Sequence, residues 1–263
     1  MLQSISLKFT ELAAPLSVPT QGVTIFVGPN NSGKSLVLRE IEDDLSSYTR
    51  GPPTKIVDDF EITWIPEAQL NDDIAKLTKE SPTGTSPDRV YVGRFRPDGQ
   101  RDATNIEIAP LRINMAQQSD KRWVSSQFLR YFLIRLDGRT RFQLTDDKGR
   151  GDLLGQPQNM LMHLFQDSQV RKKVREIVFD AFGAYFTVEQ LSANDLRIRL
   201  SPTEPDDNEQ NWNDAARAFH GKALHIKQAS DGVQAFVGIV CAVLSGDYRT
   251  ILIDEPEAFC IPR

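Results

Sequence analysis

Hydrophobic spacing predicts the order of elements at the amino end of the chain. Ile5, Leu7 and Phe9 alternate with polar residues, and the apolar run 23–27 is typical of a buried strand. From residue 33 to 48, apolar residues recur every three or four positions, which predicts a helix with one buried face. The predicted order is therefore strand, strand, glycine-rich loop and helix.

Two hairpin signals flank a long helical pattern in the middle of the chain. Asp137-Gly138 lies between two apolar runs and predicts a tight two-residue hairpin. A second hairpin is predicted to pair 186–191 with 196–200, and apolar spacing predicts a helix over 158–182. We interpret residues 115–200 as an α+β lobe inserted in a larger sheet.

The last third of the chain returns to alternating helix and strand signals. Residues 202–214 are acidic and contain proline, which is typical of a solvated loop. Ser230-Asp231-Gly232 opens an apolar helix, and Thr250–Ile253 is a continuous apolar run of the kind found in central parallel strands. Asp254 and Glu255 follow that strand directly.

One segment matches the P-loop pattern, in which two glycines five residues apart are followed by Lys and Ser. Glycines let backbone N–H groups turn towards phosphate oxygens, and the following helix adds the partial positive charge of its amino end. Lys34 is then placed to reach the β and γ phosphates, and the Ser35 hydroxyl to bind Mg²⁺. The segment reads Gly28, Pro29, Asn30, Asn31, Ser32, Gly33, Lys34 and Ser35.

The acidic pair after the apolar strand supplies the complementary chemistry. Asp254 is suited to hold Mg²⁺, and Glu255 is suited to polarise an attacking water. These acids lie about 220 residues beyond Lys34, a spacing that favours a P-loop ATPase with an inserted lobe over a compact nucleotide kinase.

Together these segments resemble the ATP-binding cassette ATPases of the SMC, RecF and OLD type, which are soluble ATPases that act on DNA. Within that group the chain is most similar to the OLD-related ATPases labelled AAA. The resemblance is strongest over 22–40 and 225–259. It implies an α/β P-loop fold in which 1–114 and 201–263 form the ATPase head around the inserted 115–200 lobe.

The resemblance also assigns roles to residues. It implies that ATP and Mg²⁺ are the cofactors, that Glu255 is catalytic, and that Ser35 and Asp254 hold the metal. It further implies that Ser230, Asp231 and Gly232 form the cassette signature, which caps the γ-phosphate of ATP bound to a second protomer. Asp231 stands where many members have Gly, and the alternative is that the segment only caps its own helix. Four glutamines compete for the Q-loop position: Gln117, Gln118, Gln127 and Gln143.

The expected activity is hydrolysis of ATP to ADP and phosphate, with nucleotide-dependent homodimerisation. The resemblance implies coupling to DNA transactions such as repair or phage defence, with a nuclease partner or a further carboxyl-terminal domain. One alternative is a non-hydrolysing, regulatory or vestigial nucleotide-binding module. Another is the ATPase subunit of a membrane transporter, which the form of the signature disfavours.

The family pattern stops at Phe259, after which these ATPases usually continue Leu-His-Pro-Pro towards a switch histidine. The codons TTC CTG CAT CCC CCG C, with one C removed, encode Phe-Cys-Ile-Pro-Arg, the last five residues of this chain. We therefore expect a frameshifted or truncated member of the family, in which hydrolysis is slow or absent.

Composition and charge narrow the other possibilities. The net charge of −5 and the pI of about 5.3 argue against a surface that is basic throughout. No run approaches the roughly 18 apolar residues of a membrane span, so we expect a cytoplasmic protein. Cys241 and Cys260 are expected to be buried thiols. A basic stretch at Arg171, Lys172, Lys173 and Arg175 is either a solvated helix face or a contact for DNA phosphates.

Overall fold

The computed structural model describes residues 1–9, 14–49, 54–79, 86–96, 98, 100–138, 140, 142–206 and 209–255. The strands, numbered along these residues, are β1 (Leu2–Leu7), β2 (Leu16–Pro19), β3 (Val57–Ile62), β4 (Arg89–Phe95), β5 (Arg101–Glu107), β6 (Leu133–Leu136), β7 (Lys148–Gly149), β8 (Tyr185–Glu189), β9 (Asp195–Ser201), β10 (Leu224–His225) and β11 (Thr250–Ile253). The α-helices are α1 (Lys34–Ser46), α2 (Glu67–Leu77), α3 (Ile108–Gln117), α4 (Lys121–Gln127), α5 (Met160–Gln166), α6 (Ser168–Phe182), α7 (Asp214–Lys222) and α8 (Asp231–Leu244).

These elements divide into two compact units. The first unit is built from Met1–Arg94, Ala103–Arg135 and Tyr248–Asp254, and the second chiefly from Phe95–Asp102 and Leu136–Asp247. The predicted 115–200 lobe overlaps the second unit, which extends through α8.

The first unit is organised around β1 and α1. β1 pairs antiparallel with β2 and with β3, so that Ile5 stands between Val18 and Phe60. The predicted apolar stripe of α1 is buried in the same hydrophobic core, which confirms the helix predicted at 33–48. Burial of this stripe sets the direction in which α1 leaves the loop at its amino end.

The strand predicted at 23–27 is not formed. These residues carry no strand pairing, and the side chains of Val23, Ile25 and Val27 are 89%, 73% and 86% exposed. Only Phe26 in this run packs against the core. A strand needs a hydrogen-bonding neighbour, and none of the described strands pairs with this segment. This exposed run leads directly into Gly28.

β6 and β11 pair with each other in a two-stranded sheet. The N–H of Arg249, just before β11, donates to the carbonyl of Phe132, just before β6. After the strands, a Cβ placed on Gly138 would lie 3.4 Å from a carboxylate oxygen of Glu255. The first residues of the two strands are adjacent and so are the residues that follow them, so β6 and β11 run in the same direction. β11 is confirmed as a strand, but Ile251 is 39% exposed and the described sheet has no third member, so its predicted central position is wrong.

The second unit is centred on β9. The predicted hairpin of β8 and β9 is confirmed, with Phe186 opposite Leu200 and Val188 opposite Ile198. β9 also pairs with β7 and β10. The helix predicted over 158–182 is instead two helices, because the Asp167 carboxylate accepts hydrogen bonds from two backbone N–H groups and so begins a new helix.

Two further predictions differ from the structure. Asp137-Gly138 does not join a hairpin, because β6 pairs with β11 and the chain after residue 138 forms a short 3-10 helix at Gln143–Thr145. The described strands also form small sheets of two to four strands, not the single larger sheet expected from the sequence. The α/β class itself is confirmed, since helices and strands alternate through both units.

Candidate functional site

The loop from Gly28 to Ser35 has a backbone that only certain residues tolerate. Gly33 has φ 92° and Asn31 has φ 65°, both in the left-handed region. A Cβ on Gly33 would lie 2.7 Å from the Ile56 side chain, and a Cβ on Gly28 would lie 2.8 Å from the Ser32 hydroxyl. Gly33 is therefore favoured by its backbone conformation and by a close contact, whereas Gly28 is favoured by a close contact alone.

Lys34 is the first residue of α1 and folds back over this loop. Its ammonium donates to the carbonyl of Gly28 at 2.8 Å and to the carbonyl of Pro29 at 2.9 Å. These bonds hold a positive charge above the loop and beside the amino end of a 13-residue helix. An anion entering the loop would exchange for the two carbonyl partners of the ammonium.

The next residue joins the loop to the far end of the chain. The Ser35 hydroxyl donates to the Asp254 carboxylate at 2.8 Å, across 219 residues of sequence. Ser35 is held on the first turn of α1, and Asp254 follows the last residue of β11. The structure thus brings together the two residues that the sequence marked as Mg²⁺ ligands. A hydroxyl and a carboxylate are oxygen ligands of the kind that Mg²⁺ prefers.

Glu255 lies one residue further, in a strained conformation. Its φ is 53°, which places this non-glycine residue in the left-handed region. Its carboxylate lies beside Gly138, in a turn closed by the Thr140 N–H donating to the Asp137 carboxylate and by the Asp137 N–H donating to the Thr140 hydroxyl. Sequence reasoning read Asp137-Gly138 as a hairpin and missed its place beside Glu255.

Glu40 is a second residue that the sequence did not single out. It lies two turns into α1 and is only 6% exposed, yet its carboxylate accepts hydrogen bonds from the backbone N–H groups of Lys55, Ile56 and Val57. Burial raises the pKa of Glu40, and the three N–H donors more than offset this, so that the pKa lies below its ordinary value. The carboxylate therefore fixes the segment whose Ile56 contacts Gly33.

The signature-like segment lies at the amino end of α8, in the second unit. Ser230 is the N-cap residue, but its side chain makes no capping hydrogen bond, and both Ser230 and Asp231 are exposed. Gly232 lies in the first turn of the helix. The Ser230 hydroxyl therefore does not cap α8, and the amino end of the helix is exposed.

The four Q-loop candidates lie in different settings. Gln117 ends α3, and Gln118 follows it with φ 51°. Gln127 ends α4 and donates to the Ser126 hydroxyl, whereas Gln143 begins the 3-10 helix of the second unit. No contact of these side chains selects one of them.

Residues 256–263, which complete the acidic motif and include Cys260, lie outside the described residues, as does Arg139. Cys241 is buried and is not part of a disulfide, as expected, and burial raises the pKa of its thiol.

Across the described ranges, no helix is long and apolar enough to cross a membrane. The same ranges contain no cluster of three or more His, Cys, Asp or Glu side chains arranged to hold a metal ion by themselves.

Comparison of the chain with protein-family models and with curated proteins finds no match. The chemistry of this site is therefore defined by the geometry of the Gly28–Ser35 loop and by its contact with Asp254.

Proposed function

We propose that the chain binds ATP together with Mg²⁺ at the Gly28–Ser35 loop and hydrolyses it to ADP and phosphate. The observation that carries this proposal is the 2.8 Å hydrogen bond between Ser35 and Asp254. A glycine-rich turn, a lysine, a hydroxyl and a strand-end carboxylate meet at the start of one helix. That combination suits a metal-bound triphosphate better than it suits a purely structural turn.

Each residue has a defined task in this proposal. The backbone N–H groups of the loop and the amino end of α1 stabilise phosphate charge, and Lys34 leaves its two loop carbonyls to pair with the β and γ phosphates. Ser35 and Asp254 would hold Mg²⁺, which supplies positive charge against the phosphate oxygens when bound. Glu255 orients the attacking water and accepts its proton.

The finer parts of the proposal rest on the resemblance to cassette ATPases. Ser230, Asp231 and Gly232 of one protomer would cap ATP held by the other, so that ATP drives homodimerisation. Coupling to DNA repair or phage defence, with a nuclease partner or further domain, belongs to the same proposal. The exposed and unused Ser230 hydroxyl supports the capping role.

One observation favours a second function, a nucleotide-binding module that does not hydrolyse ATP. The Glu255 carboxylate lies against Gly138, and Glu255 itself has a left-handed backbone. This position would leave ATP binding possible while keeping the Glu255 carboxylate away from the attacking water.

Binding is tested first, by titrating a fluorescent ATP analogue with Mg²⁺. Lys34→Ala should weaken binding by about tenfold or more, because it removes charge-assisted hydrogen bonds worth about 1.5–3 kcal/mol. Lys222→Ala is the matched control, since Lys222 is exposed at the end of α7 and should bind as the wild type does. Wild-type protein that fails to bind ATP would refute the proposal.

Measurements of phosphate release and of dimer formation distinguish an ATPase from a module that binds ATP without hydrolysing it. Glu255→Gln should keep binding but lower phosphate release by roughly 10²–10⁴-fold, and Glu67→Gln should leave it unchanged. If wild type and Glu255→Gln both release phosphate at background rate while binding ATP, the non-hydrolysing module is the correct function. Light scattering of Glu255→Gln with ATP should show a dimer that Ser230→Arg abolishes, and added duplex DNA should change the wild-type rate.

A further inference from the structure

A groove in the second unit is formed by one face of α6 and by the loop after β9. Its volume is about 940 Å³. The helix side carries residues spaced three and four apart, which places them on one face. The lining residues central to its chemistry are Arg171, Arg175, Glu176, Phe179, Asp180 and Tyr185.

The two arginines of this face are already paired. Glu209, which is 5% exposed, accepts from Arg171 at 3.2 Å and from Arg175 at 2.5 Å. Arg171 also donates to the carbonyls of Leu164 and Phe165, and Arg175 donates to a further backbone carbonyl. The basic helix face seen in the sequence is therefore not available as a DNA contact at these two positions.

With the arginines paired, the open part of the groove is acidic. Its lining contains five carboxylates against three basic groups, a net charge of −2. Glu176 and Asp180 are exposed on α6 one turn apart, and Glu204 is exposed on the opposite wall. Such a surface repels phosphate and attracts cations.

An aromatic pair lies beside these carboxylates. The rings of Phe179 and Tyr185 stack with centroids 4.3 Å apart and an interplanar angle of 24°, and Phe179 is 39% exposed. Phe179 precedes Asp180 and follows Glu176 by three residues, so the open ring and both carboxylates share one face of α6. A flat guanidinium stacks on such a ring and pairs with adjacent carboxylates, whereas a lysine ammonium makes only the point-charge contact.

We infer that this groove binds an arginine-bearing, extended segment of a partner protein. One arginine stacks on Phe179 and pairs with Glu176 and Asp180, and the segment follows the groove towards Glu204. The inference is independent of the ATP site, since every residue it uses lies in the second unit.

The test measures fluorescence anisotropy of a labelled Gly/Ser peptide carrying two arginines, with lysine and glutamate versions as comparisons. The arginine peptide should bind several-fold more tightly than the lysine peptide, and the glutamate peptide should not bind. Glu176→Gln with Asp180→Asn should weaken binding about tenfold, and Phe179→Leu about fivefold. Glu67→Gln with Asp72→Asn makes the same charge change on α2 and should leave binding unaltered.

Other results would overturn the inference. One such result is that the arginine peptide does not bind at millimolar concentration. Another is that the Glu176→Gln/Asp180→Asn variant binds the peptide as tightly as the Glu67→Gln/Asp72→Asn control does. A third is that the wild type binds the arginine and lysine peptides with equal affinity. Duplex DNA is the opposing probe: DNA binding that Lys172→Ala weakens, with no peptide binding, would show that the groove face contacts nucleic acid. Thermal melts of each variant confirm folding, since all the substituted side chains are exposed.

Discussion

Removing the negative charge of Glu40 should destabilise the first unit. The carboxylate accepts three backbone N–H groups at 2.7–2.9 Å, with one oxygen facing Lys55 and the other facing Ile56 and Val57. In Glu40→Gln the amide oxygen can keep the latter two bonds, but the amide NH₂ then faces the Lys55 N–H. The part-buried Lys55 N–H is left without its acceptor and two bonds lose their charge, for a loss of about 2 kcal/mol in the free energy of unfolding.

This stability difference should depend on pH in a defined direction. The folded-state pKa of Glu40 lies below its ordinary value of 4.5, so the unfolded chain binds a proton first as the pH falls. The contribution of the carboxylate is therefore complete above about pH 5 and is lost as the pH falls below about 4.5. The gap between wild type and Glu40→Gln should be full at pH 7 and smaller at pH 3.5.

Urea unfolding followed by circular dichroism at both pH values measures this gap. Glu176→Gln is the control, because Glu176 is exposed on α6 and its change should stay below about 0.5 kcal/mol. The reasoning is refuted if Glu40→Gln also stays below that limit at pH 7, or if its gap is the same at pH 3.5. Because Ile56 contacts Gly33, the variant should also bind the ATP analogue more weakly.

Three further predictions follow from other buried contacts. Gly33→Ala should weaken binding of the ATP analogue, because alanine rarely adopts φ 92° and the Ile56 side chain would have to move from its Cβ; binding at wild-type affinity would contradict this. Burial lowers the pKa of His220, so stability to urea should fall as the pH drops below about 6.5, and His220→Gln should flatten that slope between pH 7 and 5.5. Burial also raises the pKa of the Cys241 thiol, so in a Cys260→Ser background a thiol reagent should react only after denaturant is added; rapid native labelling would contradict the burial.

The features that sequence predicted well are those set by local pattern. The 3.6-residue spacing gave α1 and α8, and alternation around a turn gave the β8–β9 hairpin. The proximity of Ser35 and Asp254 followed from motif chemistry, because a metal-bound phosphate needs both groups at one place.

The features that sequence missed depend on distant partners. The run 23–27 has the composition of a strand, but a strand forms only beside another strand. Arg171 and Arg175 have the pattern of a solvated basic face in sequence, yet both pair with Glu209, which lies more than 30 residues away. Glu40 gave no signal, because an acid on a helix is usually solvated and its three donors lie in a separate loop.

The Ser35–Asp254 contact has a consequence for synthesis of the chain. At about 5–20 residues per second, a ribosome needs roughly ten to forty seconds to travel from one residue to the other. During that interval the nascent loop lacks the carboxylate that accepts a hydrogen bond from the Ser35 hydroxyl in the folded chain. The loop can therefore reach its final hydrogen bonding only after β11 has been synthesised, whatever the order in which the rest of the first unit folds.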